Sequence, residues 1–145
     1  MPVRKMSAAN ETFVAHREDR RLAELVAILR RSRPNVLVVA SSADVDRVFE
    51  LMYPFLRTPI VAWVPRETNE VPATSFRTLV IRDVEALSGE QQENLVALIC
   101  RVAEDIQIVS TSKSPIFPLV ERAAFLDRLY YQLNVVYLDL TDRIA

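Results

Sequence analysis

One glycine, Gly89, stands in 145 residues, and that scarcity restricts function more than any residue that is present. A loop that cradles phosphate brings its backbone against the ligand and depends on glycine to do so. The single cysteine, Cys100, has no partner for an internal disulfide, so a reducing cytoplasm is the expected compartment. The single histidine, His16, lies in a polar stretch without clustered Cys, Asp or Glu at ligand spacing; it reads as an exposed side chain, and no metal is expected. Charge of one sign is missing too, since 18 Lys and Arg face 19 Asp and Glu. With no net field, direct contact with nucleic acid or an anionic membrane is not expected. The amino terminus has no apolar run of signal-peptide or membrane-helix length. Internal repeats, low-complexity tracts and linkers are likewise missing.

What is there is apolar: 50% of residues are hydrophobic, enough for one continuous core. Residues 1–12 read as a loose leader and residues 13–145 as a single domain. From about Glu18 to Ser32 a helical stripe runs through Leu22, Leu25, Val26, Ile28 and Leu29, and Pro34 closes it. Arg30, Arg31 and Arg33 at its end read as a solvated carboxyl terminus of the helix. Val36 to Ala40 is a continuous apolar run, as in a strand buried on both faces. A helix from about Ala43 turns Val45, Val48, Phe49 and Met52 inward and stops at Pro54.

Further strands are predicted over Ile60–Val64, Thr78–Val84 and Ile106–Thr111. Pro65 to Phe76 has no period and reads as a long mobile loop. Ser88-Gly89-Glu90-Gln91 is a capping box opening a helix to about Ala103, with Cys100 predicted in its core face. Phe125, Leu126, Leu129, Tyr130 and Leu133 then recur at helical spacing, and Val135 to Leu140 reads as an interior strand. Strands alternating with helices predict an α/β fold of three layers, αβα, around a five-stranded and mainly parallel sheet.

Three segments carry a family resemblance. Thr78-Leu79-Val80-Ile81-Arg82-Asp83-Val84-Glu85-Ala86-Leu87-Ser88 resembles the T-L-F-L-D-E-I-G-E-L-S Walker B strand of NtrC-type sigma-54 activators. Ile106 to Lys113 is similar to their sensor I strand, V-R-V-I-A-A-T-N, and Phe125 to Val135 to their F-R-x-D-L-Y-Y-R-L-N-V. The resemblance implies the AAA+ α/β subdomain, a P-loop NTPase-like fold.

It also implies where the chemistry should be, and there the residues depart. In place of the family's G-x-x-G-x-G-K stand Ala40, Ser41, Ser42, Ala43, Asp44, Val45 and Asp46, with an aspartate near the lysine position. Arg82 corresponds to the magnesium-associated aspartate and Asp83 to the glutamate that orients water. Lys113 corresponds to the sensor I asparagine. Leu126 and Gln132 correspond to the two arginines that resemble trans-acting fingers, while Arg122 and Arg128 are out of register. The loop from Pro65 replaces the G-A-F-T-G-A insertion, and the chain stops without the family's helical lid.

These substitutions imply a catalytically inactive AAA+-like domain with no nucleotide cofactor. It would act in signalling or transcription control by binding protein, either a second copy or a related AAA+ activator, with Tyr130, Tyr131 and Arg128 as interface candidates. Arg82 and Lys113 are expected to pair internally with Asp46 and Asp83. Asp83 and Glu85 are expected on one face of a strand end, as ordinary solvated carboxylates. Two alternatives stay open: a residual nucleotide-binding switch using Arg82 and Lys113, and a small-molecule enzyme on an unrelated doubly wound sheet.

Overall fold

Strands and helices alternate through the computed structural model, which describes residues 8–72, 75–102 and 106–141, with side chains from residue 20 onward. The order is α1 (Ala8–Arg31), β1 (Val36–Val39), α2 (Ser42–Met52), β2 (Ile60–Trp63), β3 (Thr78–Ile81), α3 (Gly89–Val102), β4 (Gln107–Ser112), α4 (Phe117–Glu121), α5 (Asp127–Leu133) and β5 (Val136–Asp139). All five strands are parallel, in the spatial order β2-β3-β4-β1-β5. The expected α/β architecture is therefore present.

Alternation along the strands builds two cores. Val36, Val38, Val80, Val109 and Leu138 face α1 and α2, where Leu22, Leu25, Leu29, Val45, Val48, Phe49 and Met52 meet them. Leu37, Val39, Leu79, Ile81 and Ile108 face α3 and α5, packing on Leu95, Leu98, Ile99, Phe125, Leu129 and Leu133. Every residue of β1, β3 and β4 is buried; Val36–Val39 and Leu79–Ile81 are apolar runs, as interior strands require, whereas β4 also buries Gln107, Ser110, Thr111 and Ser112.

Several expectations need correction. β5 is an edge strand, not an interior one: Val135 and Tyr137 are exposed because only β1 pairs with it. Helix α1 begins at Ala8, earlier than the apolar period indicates, because Ala8, Ala9, Glu11, Ala15 and Glu18 favour helix without forming a stripe. Residues 8–12 are thus helical, and residues 1–7 of the expected leader lie outside the described residues. Cys100 is exposed on α3, since Leu95, Leu98 and Ile99 define the buried face and Cys100 lies off it.

The loop after β2, expected to be mobile, is tethered up to Asn69. The Trp63 indole donates to the Thr68 carbonyl at 3.0 Å, and the Gln91 amide donates to the carbonyls of Pro65 at 3.2 Å and Asn69 at 3.3 Å. Gln91 also completes the capping box: it accepts from the Ser88 N–H at 2.8 Å while its own N–H reaches the Ser88 hydroxyl at 3.1 Å.

Glycine scarcity leaves its mark on the backbone. Gly89 opens α3, so the left-handed positions fall to Asp83, φ 56°, and Ala123, φ 60°. An alanine there is strained by its Cβ, and Ala123→Gly is expected to raise unfolding stability by about 1 kcal/mol, read by urea denaturation.

Candidate functional site

The carboxyl ends of β1, β3 and β4 meet on one rim, the usual ligand crevice of an open parallel sheet. Only Ala40 and Ser41 separate β1 from α2. Ala40 is fully buried and donates to the Ser112 carbonyl at 2.9 Å, which fastens the turn to β4. Ser41 caps α2, its hydroxyl accepting from the Asp44 N–H at 3.3 Å. The cap occupies one of the N–H groups that an anion at this helix start would use.

β3 ends at Ile81, one residue before Arg82. The Arg82 guanidinium bonds Asp46 Oδ1 at 3.3 Å and lies 5.2 Å from the Phe49 ring centroid. The predicted Arg82–Asp46 pair is therefore formed. Both partners are well exposed, so the bridge is worth at most about 1 kcal/mol and its main effect is to fill space.

The other predicted pair is not formed. Among the described residues no ion pair joins Lys113 to Asp83; the Lys113 N–H instead donates to Glu85 Oε2 at 3.2 Å. Asp83 leaves the strand in a left-handed conformation and donates its N–H to the Thr111 hydroxyl at 3.2 Å. Residues 84–86 then form a single 3-10 turn. Asp83 and Glu85 are therefore not alternating residues of one strand, and the shared-face expectation fails at this turn.

What remains between Ala40, Ser42, Arg82, Asp83, Thr111 and Lys113 is a cavity of about 50 Å³. A nucleotide triphosphate does not fit this group of residues: the loop is two residues long, the helix start is capped, and an arginine occupies the crevice. Larger hollows, of about 340 and 480 Å³, lie against α1 and away from the Arg82 and Lys113 crevice. Among the described residues no three His, Cys, Asp or Glu come together to hold a metal, and no helix is long and apolar enough to cross a membrane.

The finger positions have structural surroundings. Leu126 is the residue before α5, and its N–H donates to the buried Gln92 side chain at 2.8 Å. The carbonyl of Gln132 accepts from the Asn35 amide at 2.8 Å. Arg128 bonds Glu93 at 2.6 Å, with both side chains exposed. Tyr130 is half-buried against the core and accepts from the Asn134 amide at 3.0 Å, whereas Tyr131 is 62% exposed. The amides that tie α5 into the fold, Asn35 at the amino end of β1 and Gln92 in the first turn of α3, carry no motif and were not expected.

The family model for the Sigma-54 interaction domain matches residues 62–142. No curated protein matches the chain. Among solved structures it is similar to NtrX from Brucella abortus in complex with ADP, at TM-score 0.67 and 14% identity over 83% of this chain and 35% of that one. NtrX in complex with ATP gives TM-score 0.67 and 13% identity over 97% and 37% of the two chains. The P-loop NTPase domain of the sigma-54 transport activator from E. coli gives TM-score 0.63 and 18% identity over 88% and 96%. The chain thus spans about a third of the NtrX chain. At these identities the likeness establishes the P-loop NTPase-like fold.

Proposed function

The chain belongs to the Sigma-54 interaction domain family, and from that premise we propose that it is a non-catalytic member that works by binding protein in signalling or transcription control. The chain, with α1 included from Ala8, acts as one α/β unit in the cytoplasm. The partner is a second copy of the chain or a related AAA+ activator. One observation carries the reading: the crevice at the strand ends is a cavity of about 50 Å³, narrowed by Arg82 bound to Asp46. Arg82 and Lys113 put two cations where the family pattern has a metal-associated aspartate and an asparagine. A magnesium ion would meet repulsion there, not ligands.

ATP with magnesium at millimolar concentration is expected to leave the melting temperature unchanged and to release no phosphate. A ligand bound to the folded state raises stability by mass action, so a concentration-dependent upward shift would overturn the reading.

A further inference from the structure

We propose that the β5 edge is a self-association surface, where two copies of this chain join their sheets antiparallel about a two-fold axis near Tyr137. The inference rests on the protein-binding reading above and names the partner as a second copy.

β5 is the outermost strand beside β1. The N–H groups of Val136 and Leu140 donate to the Asn35 and Val39 carbonyls on β1. By alternation the N–H and C=O of Val135, Tyr137 and Asp139 point away from the sheet. The Arg21 guanidinium donates to the Asp139 carbonyl, so the polar main chain of Tyr137 is the open middle of the edge. The edge also lacks the usual defences of a proline, a bulge or a lysine on the strand.

The surroundings are apolar. Of the exposed large hydrophobic residues, Phe117, Tyr131, Val135 and Tyr137 belong to this side of the molecule. Tyr130 links them: its ring centroid is 5.8 Å from Phe117 and 5.2 Å from Tyr131. A groove of about 340 Å³ runs between β5 and α1, with Leu25, Ile28, Val136 and Leu138 in its walls.

Three points favour a second copy as the occupant. The groove carries both signs of charge, Arg21 beside Glu24 and Asp139, so two copies related by a two-fold can match cation to anion without an outside partner. The formal net charge of −1 opposes association only weakly. Antiparallel pairing centred on Tyr137 gives two main-chain hydrogen bonds there and sets the two tyrosines side by side, a favourable cross-strand pair. It also places Val135 opposite Asp139 of the second copy.

Sedimentation velocity over a micromolar concentration series tests this with the full chain. The wild type is expected to shift from monomer to dimer. Tyr137→Pro removes an N–H that the β1 ladder does not use, and should abolish the dimer while the fold persists by circular dichroism. Val135→Asp, at a residue 61% exposed, sets two carboxylates against each other with Asp139 of the second copy and provides a second variant that weakens the dimer without altering the backbone. Leu51→Lys, in the α1 and α2 hollow, should leave the dimer intact. A wild type monomeric throughout, a dimer that survives both edge variants, or a dimer lost only with Leu51→Lys overturns the proposal. None of these outcomes alters the ATP readout, so failure here is distinguishable from failure of the non-catalytic reading.

Discussion

Asn35→Ala is expected to lower unfolding stability by about 3 kcal/mol, one of the two largest effects of a single surface-adjacent polar change in this chain. Asn35 precedes β1 and joins three elements to it. Its side-chain oxygen accepts from the Ile108 N–H at 2.7 Å, its amide donates to the Gln132 carbonyl at 2.8 Å, and its own carbonyl accepts from Val136 at 3.0 Å. Truncation leaves the third bond but strands the first two partners. Ile108 is 3% exposed, so its N–H gains no water in exchange. An unsatisfied buried group costs about 1–3 kcal/mol, so the Ile108 N–H carries most of the estimate and the part-buried Gln132 carbonyl adds the remainder. Urea denaturation at constant m reads the loss directly. Asn35→Asp is the informative companion: it keeps the acceptor for Ile108 and loses the donor to Gln132, so an intermediate loss is expected. Equal losses would place the effect in the turn geometry after Pro34, not in the hydrogen bonds.

How much of this was legible in the sequence depends on the range of the interaction. The interior strands were, because a strand buried on both faces needs an uninterrupted apolar run, and Val36–Val39 and Thr78–Ile81 have one. The edge position of β5 was not, because Val136-Tyr137-Leu138 has the composition of an interior strand and only the pairing order leaves it outside. At the crevice, the Arg82–Asp46 pair was legible from opposite charges just after β3 and in the helix that follows β1. Lys113 was misassigned because its expected partner, Asp83, turns left-handed directly after β3, a backbone event that Asp tolerates but does not announce. Asn35 and Gln92 were invisible for a third reason: a buried amide is defined by backbone groups distant in sequence, and no local spacing encodes them.

Gln92→Ala is expected to cost about 3 kcal/mol and to loosen α5 before the rest of the sheet. Gln92 lies on α3, 3% exposed, and serves three backbone groups, one in the turn before α3 and two on the segment that leads into α5. Its amide donates to the Leu87 carbonyl at 3.2 Å and the Ala124 carbonyl at 3.1 Å, and its oxygen accepts from the Leu126 N–H at 2.8 Å. The last bond replaces a cap, since Leu126 offers no side-chain hydrogen bond to the start of α5. Hydrogen exchange should therefore show α5 amides losing protection while β1 and β4 retain theirs. Gln92→Glu separates bonding from packing, because it keeps the size and the acceptor but turns a carboxylate toward two carbonyls. Burial and those carbonyls favour the neutral acid, so its folded pKa must lie above the ordinary value of about 4.3. The folded state then holds more protons than the unfolded one in that window, and stability falls as pH rises through it. Gln92→Glu should thus approach wild-type stability in mild acid and match or exceed the loss of Gln92→Ala at neutral pH. A flat profile would show that the side chain at position 92 contributes volume alone, and that α3 holds α5 only through the packing of Leu95, Leu98 and Ile99 with Leu129 and Leu133.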